Sequence, residues 1–524
     1  MPPSLSKPLG LPSSWMPNYA QLCLGVLLFV SIGLWHKRNS RASRLPPGPR
    51  GSLLFGIREK VLKSKNVWKQ YADWARVYGP VVYFKSGQVD FIVLNDLKSI
   101  HDLLEKRLRI YSDRPPSVMF GDLVGQDMSF FRISSQHPRF PLYRKLSSDE
   151  LGSRGMKDHY AGLESCTKLF LQNLLRDPGN LKKHLRLHSG GAILKSAYGY
   201  TVQPENDYFI GLIEDYAKLS STGLNPGMWL VDSYPFLRFL PRGFPGTKFL
   251  EFAEQRKAMR MQVMSEPTEW VKKEMEAGRA IPSFVSKQLS ASEPLDEEGE
   301  DVVRYVANAL YLAGADTTVA AMLTFFFIMV LYPDIQSQAQ AEIDRIVGND
   351  RLPEIGDKEN LPYVNGLLKE ILRFHPSAPL GLPHSVTEDD IYEGMLIPKG
   401  CNIVPNIWAV MHDPSLYPEP MKFDPFRHLS KTKGGPPPQP DPREIVFGFG
   451  RRVCPGMYFA EASLFLSISA TLAVFNVEKA RDEMGREITP VLEFTGRTVS
   501  RPEEFQCSIV PRSSAASDLI QLAC

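Results

Sequence analysis

The apolar and polar positions of this chain change rhythm several times. From Tyr19 to Trp35 the run YAQLCLGVLLFVSIGLW carries no charge, with aromatic residues at Trp15, Tyr19 and Trp35 near its ends, which predicts a membrane helix over 19–35 after a short N-terminal segment, 1–18. The basic cluster His36, Lys37, Arg38, Arg41 and Arg44 follows the apolar run. A cleaved signal peptide, the competing reading, carries its charge before the apolar run and ends in a small-x-small site, which is not evident here. Positive charge after the span places 1–18 in the lumen and the rest in the cytosol. The prolines of Leu45-Pro46-Pro47-Gly48-Pro49-Arg50-Gly51 stiffen a basic and proline-rich linker over 36–51. Alternation then takes over in VVYFKSGQVDFIVL, residues 81–94, predicting a β-hairpin with its turn near Ser86-Gly87-Gln88. Helical periodicity dominates from about 150 to 375, punctuated at Asn225-Pro226-Gly227 and Pro241 to Gly246. β-branched and turn residues from Ile391 to Val404 predict a second small sheet. The Pro/Gly-rich loop Gly434 to Pro442 leads to a last apolar helix from Ala460 to Leu472. The pattern is mainly α with small β-sheets, in one large domain over 52–524.

Composition narrows the function classes. With 61 basic and 58 acidic residues and a net charge of +3, no global excess of positive charge points to nucleic acid. Six cysteines, Cys23, Cys166, Cys401, Cys454, Cys507 and Cys524, lie singly, which fits a reducing compartment rather than a disulfide scaffold. For any one of them a small buried apolar role is the default.

Cys454 departs from that default because of its neighbours. Phe447-Gly448-Phe449-Gly450-Arg451-Arg452-Val453-Cys454-Pro455-Gly456 flanks it with glycines that admit close approach of a large flat ligand, and the following helix puts the sulfur near a helix N-terminus, which favours a thiolate. Arg452 can neutralise a carboxylate of such a ligand. Upstream, Glu370 and Arg373 share a face of the helix after Asn360-Leu361-Pro362; alone they read as an ordinary helical salt bridge. The apolar stretch Val302 to Val330 is interrupted by Ala313-Gly314-Ala315-Asp316-Thr317-Thr318. These threonines can bond back to the preceding turn and bend the helix, or a helix loosened at Gly314 can offer a groove where Thr317 holds a hydrogen bond and Asp316 exchanges protons.

The cysteine segment resembles the cytochrome P450 signature FxxGxRxCxG at Phe447, Gly450, Arg452, Cys454 and Gly456. The Glu370-x-x-Arg373 pair resembles the family's ExxR element, with Arg427 in Phe423-Asp424-Pro425-Phe426-Arg427 as its third member and Phe426 where the family usually has glutamate. Gly314, Asp316 and Thr317 match its oxygen-activation motif. Near Phe140-Pro141-Leu142-Tyr143-Arg144 the arginine of WxxxR is kept while Phe140 replaces the tryptophan, and His384 falls where a basic haem-propionate donor is frequent. The matches run in family order over roughly residues 45 to 510.

The resemblance implies a helical prism enclosing one haem b, preceded by the membrane helix. Cys454 is then the iron's axial ligand, and Arg452, Arg144 and His384 bind the propionates. Asp316 and Thr317 are the catalytic pair, and Glu370, Arg373 and Arg427 are the structural triad. It implies an oxygenase of the endoplasmic reticulum membrane with a cytosolic catalytic domain. No flavin or nicotinamide domain is evident, so electrons come from NADPH through a separate reductase, with Arg144, Lys145 and Arg451 as candidate docking charges. Mostly apolar segments, Pro115–Phe131, Tyr208–Gly246, Val306–Leu310, Ser377–Leu382 and Phe494–Thr498, imply a hydrophobic small-molecule substrate. The chain's ends resemble fungal members, whose substrates are often terpenoids or other secondary metabolites. A broad xenobiotic oxidase, a haem-thiolate isomerase or dehydratase, and a non-catalytic haem sensor are the alternatives.

Overall fold

The structure is a computed structural model that describes residues 23, 44–52, 54–221, 228–291, 293–429 and 437–522. The expected membrane helix over 19–35 lies outside these residues except for Cys23. The longer helices are α1 Arg139–Leu151, α2 Tyr160–Arg176, α3 Leu181–Tyr198, α4 Tyr208–Ser221, α5 Lys248–Glu276, α6 Glu297–Leu331, α7 Pro333–Ile346, α8 Pro362–Phe374 and α9 Met457–Val474. Together with the small sheets described below they make the fold mainly helical, as the periodicity predicts.

The central element is α6. Asp296 caps it by accepting from the Gly299 amide, and Glu297, Glu298 and Glu300 complement the dipole in its first turn. Its second half, Thr318 to Val330, is buried on every side, as is most of α9. Both helices are long and apolar enough to cross a membrane, yet 72% and 78% of their most apolar windows are buried inside the protein, which makes them core helices. α3 packs closely on α6: a Cβ at Gly314 would meet Ile193 at 3.1 Å, and the Ser189 hydroxyl donates to the Gly314 carbonyl at 2.7 Å. Pro362 opens α8 at its first position, and Val364, Leu367, Leu368 and Ile371 form its buried stripe.

The expected hairpin forms as β1 Val81–Ser86 and β2 Val89–Leu94. The expected second sheet divides. β4 Asp390–Tyr392 and β5 Met395–Ile397 pair as a small hairpin, whereas β6 Asn402–Pro405 joins β2 in parallel and also receives β3 His384–Ser385. A sheet of β7 Phe475–Arg481, β8 Glu487–Ile488 and β9 Cys507–Pro511 closes the C-terminal part. Pairing of β2 with β6 joins segments some 300 residues apart, which no local alternation encodes.

Candidate functional site

The Cys454 loop is held from its own backbone. Gly448 and Gly450 adopt left-handed φ values of +82° and +54°. A Cβ at Gly450 would lie 2.4 Å from the Leu104 carbonyl oxygen, so glycine is required there twice over. The Cys454 amide donates to the Phe447 carbonyl at 2.7 Å, and α9 begins three residues later with Gly456 at its N-cap. Cys454 as a residue is partly exposed, while its thiol group is surrounded by protein. Burial pushes its thiol up, against the Gly456 amide and Arg144, which favour the thiolate. A coordinated cation would tip that balance toward the anion.

Glu370 and Arg373 are not a surface pair. Both side chains are fully buried and bonded in parallel at 2.8 Å, and the Arg427 Nε donates to the same carboxylate at 3.1 Å. His428, which the sequence reading missed, is a fourth member, with Nε2 2.8 Å from Glu370 Oε2. Arg373 continues to the Met411 carbonyl, and Arg427 to the carbonyls of Pro418 and Lys422. Burial alone would raise the Glu370 carboxyl; hydrogen bonds from His428 and Arg373 outweigh it and hold the group below the usual range. Phe426 stays half-exposed and packs edge-on against Tyr363 at 5.2 Å, away from this network's hydrogen bonds.

Arg144 and Arg452 come together with Arg114 and Arg132, two residues the sequence reading did not single out. Arg114 is held by the Leu382 and Pro383 carbonyls, Arg132 by that of Pro115, and Arg452 by those of Ser112 and Ile133. Arg114 is destabilised as a cation first by burial, then by repulsion from Arg452 and Arg132, with Asp113 opposing. The Nε atoms of Arg114 and Arg132 are buried without a hydrogen-bond partner. A surplus of buried guanidinium donors is what a ligand bearing two carboxylates would satisfy, so these residues fit a haem. Phe140 lies beneath this cluster, with the Arg452 guanidinium 4.3 Å from its ring centroid.

His384 lies beside the arginine cluster. It is buried, and its Nδ1 bonds the Tyr111 carbonyl at 2.8 Å. A carbonyl can only accept, so Nδ1 carries the proton. Burial, then the nearby Arg114, holds the imidazole well below its usual pKa. Nε2 is the ring's remaining hydrogen-bonding atom. The docking charges also divide: Lys145 and Arg451 are exposed, whereas Arg144 is half-buried beside Cys454. Arg451 lines an open cavity of about 510 Å3 with Arg109, Ser135, Gln136, Thr387 and Glu388. That cavity includes neither Cys454 nor the α6 string and is not a reaction chamber.

The expected loosening of α6 at Gly314 is not observed: the helix is continuous from Glu297 to Leu331. Gly314 instead provides the close approach to Ile193. Leu312 to Thr317 are partly open, between buried Tyr311 and Thr318. The Thr317 hydroxyl donates to the Ala313 carbonyl at 2.8 Å, and the Thr317 carbonyl accepts from Ser377 Oγ at 3.2 Å. Asp316 pairs with Arg501 at 3.0 Å. Arg501 belongs to the C-terminal turn in which the Thr495 amide donates to its carbonyl at 2.8 Å. No local pattern pointed to Arg501, Arg114 or Arg132; His428 could have been noticed beside Arg427.

Comparisons with known proteins agree with this arrangement. A family profile described as Cytochrome P450 matches residues 46–506. Cytochrome P450 monooxygenase claR of Ampulloclitocybe clavipes is 42% identical over 506 residues, covering 96% of this chain and 92% of that protein. Cytochrome P450 monooxygenase 208 of Postia placenta is 42% identical over 503 residues, with 96% of each covered. Cytochrome P450 monooxygenase ppsD of Aspergillus oryzae is 37% identical over 509 residues, covering 95% of this chain and 94% of that protein. With the cysteine loop, the buried Glu370 network and the arginine cluster on one scaffold, this chain belongs to the cytochrome P450 family of haem-containing oxidoreductases.

Proposed function

We propose that the protein is a haem-thiolate monooxygenase that inserts one atom of O2 into a lipophilic small molecule, a terpenoid or related secondary metabolite. The observation that carries this reading is the pairing of a backbone-held, partly open Cys454 with the partly open Asp316-Thr317 stretch of an otherwise buried helix. In this reading Cys454 Sγ is the axial ligand, and Phe447, Gly450 and Gly456 shape its loop. Arg452 and Arg144, joined by Arg114 and Arg132, hold the propionates. The haem, when bound, supplies oxygen activation, with the thiolate favouring O–O cleavage.

The chain's own work is then proton handling, geometry and exclusion of water. The Thr317 hydroxyl can turn from the Ala313 carbonyl to hold another hydrogen bond, and Asp316, partly exposed beside Arg501, can pass protons from solvent. Glu370, Arg373, Arg427 and His428 keep the loop region from shifting. Electrons would come from NADPH through a separate reductase docking near exposed Lys145 and Arg451. The 19–35 segment would anchor the protein in the endoplasmic reticulum membrane, with 52–524 as the cytosolic catalytic domain. The relatives named as monooxygenases support the oxygenase reading.

The first test is the carbon monoxide difference spectrum of reduced full-length protein beside Cys454→Ala. A thiolate-type Soret band, lost in the variant, is expected. A folded, haem-loaded wild type with only a histidine-type band overturns the reading. Oxygen- and NADPH-dependent product formation with added reductase then separates oxygenation from isomerisation.

A further inference from the structure

The buried face of α5 carries two arginines, Arg256 and Arg260, at 3% and 9% exposure. Their i,i+4 spacing puts two like charges on one face. Two other buried arginines, Arg373 and Arg427, share the Glu370 carboxylate. Arg260 has no such partner among the described residues, and the segments outside them contain no Asp or Glu side chain. Its guanidinium donates only to the sulfurs of Met264 and Met261, at 3.6 and 3.5 Å, which are weak acceptors. Its Nε is buried with no partner. Arg256 lies over the rings of Phe120 and Tyr216, at 5.2 and 4.6 Å, and burial lowers its pKa.

The surroundings belong to the segments expected to form the substrate chamber. Arg260 Nη2 reaches to 3.4 Å from where a Cβ of Gly125 would stand, beside the apolar cluster of Met119, Phe120, Val124, Val231 and Ala253. One turn further along α5, the Val263 carbonyl accepts from Asn308 of α6 at 3.2 Å, within the span that leads to the Ala313–Thr318 string. A buried cation with only sulfur acceptors is costly unless something brings it an anion.

We infer that Arg260 is an anion anchor in the roof of the substrate chamber, and that the substrate is an amphipathic molecule whose lipophilic body ends in a carboxylate. A planar guanidinium pairs with a carboxylate through two parallel hydrogen bonds. The apolar cluster takes the body, and the anchored end fixes which carbon is presented to the reacting centre. This rests on the oxygenase reading above and narrows its substrate class.

The test is spectral titration of full-length, haem-loaded protein with straight-chain, aromatic and polycyclic carboxylic acids and with the methyl ester of each. Wild type is expected to bind at least one acid about tenfold more tightly than its ester. In Arg260→Met that ratio collapses toward one, and Arg260→Lys recovers part of it. The thermal midpoint of Arg260→Met is expected to stay level or rise, because a buried charge has been removed. No acid outbinding its ester in wild type, or an unchanged ratio in Arg260→Met, overturns the anchor. A lowered midpoint in Arg260→Met that Arg260→Lys restores, without any change in the ratio, assigns Arg260 to the fold and also overturns it. Either failure with the thiolate band and ester turnover intact leaves the oxygenase standing; absence of the band refutes the oxygenase itself.

Discussion

The network around Glu370 and the string around Asp316 use the same chemistry to opposite ends. Glu370 is fully buried and takes donors from Arg373, Arg427 and His428, and the two arginines donate onward to backbone carbonyls and to Gln439. Nothing there can move without leaving a charge unpaired. Asp316 is partly exposed and held by Arg501 at one contact, and the Thr317 hydroxyl is parked on its own helix. Dense, buried bonding suits a frame, and exchangeable bonding is what proton traffic would need. The difference lies in burial and in the number of partners, not in residue type.

The sharpest way to break this comparison is at Glu370. Glu370→Gln strands buried Arg373 and Arg427, and a loss of about 3–5 kcal/mol is expected, read as a lowered urea midpoint and loss of the thiolate-type carbon monoxide band. The same group predicts a pH dependence. Its folded pKa lies below the usual 4.5, so its stabilisation is present above that value and fades as pH falls from there through the folded value. The wild-type urea midpoint should drop through this acid window more steeply than that of the variant. Equal slopes would mean that Glu370 is not the group being protonated.

Asp316→Asn should do the reverse, leaving the fold and the band in place while lowering product formation roughly 10²-fold. A large fall in thermal stability would place Asp316 with the frame instead. A smaller effect is expected from Arg501→Gln, which releases the Asp316 carboxylate without removing it. Product formation should fall roughly threefold to tenfold, within the range such positioning effects reach, with an altered solvent isotope effect. An unchanged isotope effect would reduce the Arg501 contact to a tie between the C-terminal turn and α6.

How far each region was legible follows from the same contrast. Helical periodicity and the Ser86-Gly87-Gln88 turn predicted the main helices and the first hairpin because those signals are local. Glu370, Arg373, Arg427 and Cys454 stand in strings whose spacing could be recognised. The parallel joining of β2 to β6 and the C-terminal sheet depend on segments far apart in the chain, and the Arg114, Arg132 and Arg501 contacts depend on loops that only the completed fold brings in. Gly314 was read as a loosened point beside threonines that bond back to the preceding turn; the Thr317 bond to Ala313 is there, and Gly314 packs against Ile193. His384 was read as a propionate donor from its place in the string; its bond to the Tyr111 carbonyl depends on the completed fold.

The smallest effect is expected at Phe140, where the frame meets the arginine cluster. The residue is buried, and its ring already receives the Arg452 guanidinium, so a cation–π contact stands where the family commonly has an indole. In Phe140→Trp the larger ring strengthens that contact and adds an N–H donor that a propionate could accept. Against this, the extra volume must fit a closed site, and overpacking of a core costs about 1–3 kcal/mol. If the arginine cluster is the propionate cradle, the added donor should win, and haem transfer to an acceptor protein should slow by roughly twofold to fivefold, a gain of about 1 kcal/mol or less. Faster haem loss with an unchanged thermal midpoint would show that a donor at position 140 does not face a carboxylate, and the cradle would then rest on Arg114, Arg132, Arg144 and Arg452 alone.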